Sequence, residues 1–223
     1  MGVVLTKIRS VFNILDFKDG SGKWVKSYYP TTDEHHFTRA GILWSSINSR
    51  CKEGGYHQKR KPSYIEVVNG FIDFQEFADW CQSQYGYLNK ESNGKYWAID
   101  KDLLDYNNLE YSKDKCIFVP NRINSLLIAS NASRGEYPLG VYWKKSARKF
   151  AAQCSDGSGK QKYLGYFIDP LNAHKAWQRY KIQVMQTILK DDEEVKIHTK
   201  LIPIIEGHIQ RISDDLENNR ETL

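Results

Sequence analysis

The spacing of hydrophobic and polar positions along this chain predicts both helices and strands. Apolar residues three and four positions apart predict helices over 37–51 and 71–82, with a loop rich in Gly, Lys and Arg at 52–62. Residues 3–28 instead alternate apolar and polar side chains around the turn-forming sequence DGSG at 19–22. That arrangement indicates a β-hairpin near the N-terminus.

The middle of the chain has the pattern of two strands followed by a helix. One predicted strand ends at Ile99-Asp100, and CIFVP at 116–120 forms the second. A polar loop rich in Asp, Asn and Lys separates them, and a helix that runs through Asn124 follows. The order strand, loop, strand, helix is therefore expected between residues 95 and 127.

Three more strands and a helix are predicted in the C-terminal half. The strands are GVYWKK, KFAAQC and KYLGYF, separated by the turn sequences SAR and SDGSGK. Asp169 suits the N-cap of the following helix, and Pro170 suits its first position. A further amphipathic stretch begins at Glu193, with an interruption expected at Pro203. Its periodicity allows packing either on the chain's own core or on a second copy.

These elements predict an α+β protein in four segments. The segments are a small β leader at 1–32, a domain at 33–130, a domain at 131–189 and an acidic helical tail at 190–223. The sequence has no apolar run of about 18 residues, and its first residues do not resemble a secretory signal peptide. We therefore expect a cytoplasmic protein with no membrane partner.

The distribution of charge is more informative than the net charge of +5. Residues 131–181 contain ten Lys and Arg against three acidic residues, a local charge of +7. Residues 191–223 contain nine acidic residues against four basic ones, a local charge of −5. Because electrostatic attraction is screened over about 10 Å, the basic block by itself favours a polyanionic partner.

The cysteines and histidines do not form a recognisable metal motif. Four cysteines lie 30 or more residues apart and without CxxC spacing, so we expect reduced, mostly buried thiols and no zinc site. The pair His35-His36 is expected in an exposed turn. No small-molecule cofactor is indicated.

Residues 139–180, LGVYWKKSARKFAAQC followed by KYLGYFIDPLNAHKAWQRY, resemble the plant ethylene-response-factor (ERF, APETALA-type) DNA-binding domain. The resemblance implies a three-stranded antiparallel sheet that enters the major groove of double-stranded DNA, with the helix behind it. Trp143 is not assigned to either face, and base preference is not transferred. The residues implied in DNA binding are Arg134, Tyr142, Lys144, Lys145, Arg148, Lys149 and Lys162.

Residues 97–127, WAIDKDLLDYNNLEYSKDKCIFVPNRINSLL, resemble the HNH motif of phage and intron homing endonucleases, which often carry an ERF-like module. The resemblance implies a ββα fold that binds one divalent cation, Mg²⁺ or Mn²⁺. It places metal ligands at Asp100 and Asn124 and the catalytic base at Lys101. Asp102 and Asp105 are candidate additional ligands.

Two signature positions depart from the HNH pattern. Lys101 replaces the histidine that acts as the base and activates water. Lys115 replaces the asparagine that orients this base. A lysine with its ordinary pKa near 10.4 is protonated at pH 7, so Lys101 needs a lowered pKa to act as a base. Otherwise its ammonium group would contact the scissile phosphate, while a metal-bound water supplies the nucleophile.

The sequence therefore predicts a homing-type endonuclease that hydrolyses DNA phosphodiesters with one divalent metal, located in the host cytoplasm if a phage encodes it. The first alternative is a catalytically inactive, sequence-specific DNA-binding protein on the same scaffold. The second alternative is a phage-type structural or host-interaction protein that binds nucleic acid without sequence choice. The oligomeric state stays open.

Overall fold

The computed structural model of this chain describes residues 15–32, 34–105, 108–127 and 135–222, which form a mixed α+β structure. The strands are β1 (Ser27–Thr31), β2 (Glu34–Phe37), β3 (Val68–Asn69), β4 (Ala98–Asp100), β5 (Glu110–Tyr111), β6 (Ile117–Val119), β7 (Val141–Lys144), β8 (Lys149–Ser155) and β9 (Gln161–Phe167). The helices are α1 (Arg39–Cys51), α2 (Tyr56–Arg60), α3 (Phe74–Ser83), α4 (Asn121–Leu127), α5 (Pro170–Asp191), α6 (Glu193–Ile197) and α7 (Leu201–Glu217). The predicted α+β class is thus confirmed.

The elements divide into two compact units. Unit 1 contains the residues up to Ser83 together with 109–113. Unit 2 contains 84–108 and the residues from Asp114 onwards. Among the described residues, no helix combines the length and the apolar character that a membrane span requires.

Unit 1 is built around the two helices that the apolar spacing predicts. Thr38 caps α1 by accepting a hydrogen bond from the Gly41 amide, and Ile47 on α1 and Phe77 on α3 are fully buried. The loop predicted at 52–62 contains the short helix α2, so that prediction is wrong in part. A hydrogen bond of 2.6 Å from Arg60 to the Tyr56 hydroxyl, four residues away, supports this extra turn of helix.

The N-terminal β prediction is confirmed at its turn. Lys18 pairs with Trp24 in an antiparallel bridge, and the Asp19 carboxylate accepts hydrogen bonds from the backbone amides of the turn. The part of the predicted hairpin at 3–14 lies outside the described residues. His35-His36 lies on strand β2 rather than in an exposed turn. Strand β1 pairs with β2, and Tyr29 on β1 stacks on His35 with 4.6 Å between ring centroids.

In unit 2, β4 and β6 pair antiparallel and α4 follows directly, as the sequence pattern predicts. The buried side chains of β6 and α4, such as Ile117 and Ile123, belong to the same hydrophobic core as Cys154 and Met185 farther along the chain. The predicted boundary between 33–130 and 131–189 therefore does not separate two compact units.

The three predicted C-terminal strands form one antiparallel sheet in the order β7-β8-β9. The helix α5 begins where the sequence predicts. Its N-cap Asp169 accepts a hydrogen bond of 2.8 Å from the Asn172 amide, and Pro170 occupies the first position. Helix α5 covers one face of the sheet, where Cys154 packs with Trp177 and Met185.

Gly140, just before β7, allows the sheet to approach α5 closely. Its φ of +76° is left-handed, and an added Cβ would lie 2.0 Å from the Trp177 ring. We expect Gly140→Ala to lower the free energy of unfolding by about 3 kcal/mol, measured by denaturant titration. Gly159→Ala is the control, since Gly159 has a similar φ of +91° with no atom near its Cβ position. An equal loss in both variants would contradict a role for ring contact.

The C-terminal tail packs on the chain's own core, which resolves the alternative left by its periodicity. Val195, Leu201 and Ile205 are buried in the same core as α5. The helical stretch breaks at residues 198–200, and Pro203 lies in the first turn of α7. The expected interruption at Pro203 is therefore wrong, because a proline in the first turn removes no helical hydrogen bond.

Candidate nucleic-acid interface and ββα centre

The face of the β7-β8-β9 sheet opposite α5 carries three tyrosines. Tyr142 and Tyr166 lie directly opposite Ala151 on the flanking strands, and Tyr163 lies opposite Gln153. Ala151 and Gln153 alternate with Cys154, which faces α5, so they point away from the helix. We call this surface, formed by Tyr142, Tyr163 and Tyr166, the tyrosine face.

An irregularity in β9 places two of these tyrosines on the same face. Side chains three positions apart on a regular strand point in opposite directions. The pairing shifts at Leu164, and Gly165 has a φ of +124°, so Tyr163 and Tyr166 point the same way with ring centroids 5.3 Å apart. Burial and the neighbouring Tyr166 raise the pKa of Tyr163. Both tyrosines are about half exposed.

Tyr163 and Tyr166 are not among the residues predicted to bind DNA, although the sequence contains a signal for their placement. The glycine in KYLGYF lies inside a strand pattern, and an isolated glycine there often marks a bulge. A bulge between the two tyrosines changes which face the second one occupies.

The end of the β7-β8 hairpin is strongly basic. Lys144 lies directly opposite Lys149, on the same side as Tyr142, and Lys145 and Arg148 lie in the turn between them. All four side chains are exposed, and none forms an ion pair with a described residue. Like charges on directly opposite strand positions repel, and a bound anion would remove that repulsion. We call these four residues the basic tip.

Arg148 adopts a left-handed backbone conformation, with a φ of 49°. This conformation costs a residue with a Cβ about 1–2 kcal/mol, and glycine normally occupies it. The backbone at this position therefore favours glycine over the arginine that occupies it.

Arg148→Gly should separate stability from binding. We expect the free energy of unfolding to stay equal or to rise by up to about 1 kcal/mol, because the backbone strain is relieved. If the basic tip contacts duplex DNA, the affinity for that duplex should fall by about five- to tenfold, with one counterion fewer in its salt dependence. Thermal unfolding and fluorescence anisotropy measure the two effects. Unchanged affinity would exclude Arg148 from the interface.

The remaining predicted DNA-binding residues lie elsewhere. Lys162 is opposite Cys154, so its side chain leaves from the face that α5 covers. Trp143 lies on that side too, opposite Phe150, with 4.9 Å between ring centroids. Arg134 lies outside the described residues. The tyrosine face and the basic tip thus bring together Tyr142, Lys144, Lys145, Arg148 and Lys149.

The ββα unit holds the two predicted metal ligands in different environments. Oδ1 of Asp100 accepts hydrogen bonds of 2.8 and 3.0 Å from the amides of Asp102 and Leu103, which fixes the start of the loop after β4. Oδ1 of Asn124, on α4, is buried and has no hydrogen-bond partner among the described residues. A buried acceptor without a partner costs about 1–3 kcal/mol.

Lys101 belongs to the scaffold of the loop. Its side chain is buried, and its ammonium group donates to the Asn108 carbonyl at 2.6 Å and to the Asp102 carboxylate. The Asn108 amide in turn donates to the Lys101 carbonyl at 2.7 Å. These bonds close the loop from both ends. They use two of the three N–H donors of the amine that was predicted from the sequence to contact the scissile phosphate or to accept a proton.

Two oxygen atoms in the ββα unit suit a hard divalent cation. The loop amides bind Asp100 through Oδ1 and leave Oδ2 unused, and Asn124 Oδ1 has no hydrogen-bond partner among the described residues. Carboxylate and amide oxygens are ligands that Mg²⁺ accepts. Asp102 is a weaker candidate, because burial raises the pKa of its carboxyl group and the Lys101 ammonium already binds it. Within the described ranges, no cluster of three His, Cys, Asp or Glu side chains forms a metal site.

No two cysteines form a disulfide in the part of the chain that the structure describes. All four are free thiols, and Cys81, Cys116 and Cys154 are buried, as the sequence predicts. Burial raises the pKa of the Cys154 thiol to about 11.

Comparison with known proteins adds no family assignment. A scan against protein-family models, a search of curated proteins and a search of solved structures each found no match.

Proposed function

We propose that this protein binds double-stranded DNA through the tyrosine face and the basic tip. The observation that carries the proposal is the Lys144–Lys149 cross-strand pair, which has no acidic partner among the described residues. Opposed lysines destabilise an isolated sheet, whereas a phosphate placed between them interacts favourably with both.

The shape and chemistry of the surface favour a duplex. The three strands present a contiguous face whose tyrosine hydroxyls and lysine ammonium groups are donors to phosphate oxygens. The major groove is about 12 Å wide and admits a small β-structure. The resemblance of 139–180 to the ERF-type domain supports the same orientation, with α5 behind the sheet.

The test is equilibrium binding of the full chain to a labelled duplex in EDTA, so that no cleavage interferes. We expect binding at low salt that weakens steeply between about 50 and about 200 mM NaCl. Competition with unlabelled duplexes of different sequence distinguishes specific from non-specific recognition. Absence of binding at the lowest salt concentration would overturn the proposal.

We propose metal-dependent cleavage of that DNA as a second candidate function. The buried Oδ1 of Asn124, which has no hydrogen-bond partner among the described residues, supports it, because a bound cation would supply the missing partner. Asp100 and Asn124 would hold Mg²⁺ or Mn²⁺, and the bound ion would lower the pKa of a water molecule and polarise the phosphate. Lys101 would keep the loop closed behind Asp100 rather than take part in chemistry.

A further inference from the structure

Unit 1 contains a second basic surface, whereas the β7-β8-β9 sheet belongs to unit 2. Residues 50–64 include five basic side chains and only one acidic one, Glu53. Three consecutive cations, Lys59, Arg60 and Lys61, are exposed at the C-terminal end of α2. None of the three forms an ion pair with a described residue. We call these three residues, together with Tyr56, the α2 surface.

The arginine of the α2 surface is held in place. Arg60 Nη1 donates to the Tyr56 hydroxyl at 2.6 Å, and the guanidinium lies 5.3 Å from the Tyr56 ring centroid. The guanidinium has five N–H donors in a planar fork, so most of them stay available after this bond. Tyr56 is 65% exposed and thus offers no buried core contact that would explain the arrangement.

Positioning an arginine beforehand reduces the entropy lost when it binds a phosphate. Two flanking lysines add charge without demanding a particular geometry. Arginine, lysine and tyrosine side chains are typical donors to the phosphate backbone, and such contacts carry no sequence information.

We propose that the α2 surface is a second, sequence-independent contact with the DNA backbone. The inference rests on the proposed function, because the polyanion it names is the duplex that the sheet binds. Two contact surfaces on one chain raise the effective concentration of the second once the first is bound. The α2 surface therefore contributes affinity and salt dependence, while the sheet contributes any discrimination between sequences.

The test compares two triple variants of the full chain that remove the same charge. The first replaces the α2 cations: Lys59→Gln, Arg60→Gln and Lys61→Gln. The control replaces three cations elsewhere on the chain: Lys18→Gln, Lys90→Gln and Lys196→Gln, of which Lys18 and Lys196 already pair with an acid. Thermal unfolding of both variants establishes that each is folded before binding is measured.

We expect the α2 variant to reduce the steepness of the slope of log K against log salt by about 2–3. Its binding should weaken about tenfold or more for every duplex sequence. The control should change the slope by less than about one. Arg60→Lys should lose part of the affinity, because the planar fork is lost while the charge remains.

The outcomes separate this inference from the proposed function. If the α2 variant and the control behave alike while variants of the basic tip lose binding, the α2 inference is overturned and the sheet interface stands. If the wild-type chain fails to bind a duplex at all, the proposed function is overturned as well. Loss of binding to only some duplex sequences in the α2 variant would also contradict a backbone contact.

Discussion

Removing the charge of the basic tip should lower the affinity for a short duplex by about 10³-fold at about 0.1 M salt. The substitutions are Lys144→Gln, Lys145→Gln, Arg148→Gln and Lys149→Gln. Each cation that neutralises a phosphate releases about 0.9 counterion, so four contacts contribute more than three powers of ten at this salt concentration. Fluorescence anisotropy over a salt series measures both the affinity and the slope.

The matched control removes four charges from the other side of the same module. Its substitutions are Lys162→Gln, Lys175→Gln, Arg179→Gln and Lys190→Gln, which lie on the side of the sheet that α5 covers or on α5 itself. We expect less than a tenfold loss from this control, because distant charges act only through a screened field. Equal losses in the two variants would mean that net charge, and not the basic tip, determines binding.

The second large effect concerns cleavage. Asp100→Asn should reduce Mg²⁺-dependent nicking of supercoiled plasmid by about 10²–10³-fold. An amide oxygen still accepts the hydrogen bonds from Asp102 and Leu103, so the loop keeps its shape while the ligand charge is lost. Gel electrophoresis of plasmid over time, with Mg²⁺, Mn²⁺ or EDTA, measures the rate.

Asn124→Leu tests the same centre, because it should raise the stability of the fold while it lowers the rate of cleavage. Leucine removes a buried acceptor that has no partner among the described residues, so the free energy of unfolding should rise by about 1 kcal/mol. Cleavage should fall as far as in Asp100→Asn. If the wild-type protein binds the plasmid without nicking it, cleavage is excluded and the protein is the catalytically inactive DNA-binding alternative.

Local pattern was sufficient for most of the fold. Periods of two and of 3.6 identify the strands and helices because those periods follow directly from backbone geometry. Asp169 and Pro170 mark the start of α5 because each satisfies a requirement of the first helical turn. The hydrophobic residues of the tail are recognisable in the same way, but their partner becomes known only from the packed core.

The site was less predictable, because it depends on contacts between residues that are distant or irregularly placed. The role of Lys101 follows from its hydrogen bond to the Asn108 carbonyl, which exists only when the intervening loop closes. The tyrosine face depends on the irregular pairing at Leu164, which reverses the expected alternation along β9. Strand register likewise moves Lys162 away from the DNA-binding face on which the ERF resemblance placed it.

The position of the duplex on the protein is measured most directly by backbone amide chemical shifts of the full chain during titration with a duplex in EDTA. We expect the largest changes at residues 142–149 and at Tyr163 and Tyr166, with small changes for the buried residues of α5. A duplex that binds while the amides of these strands remain unchanged would contradict the assignment of the tyrosine face and the basic tip as the DNA surface.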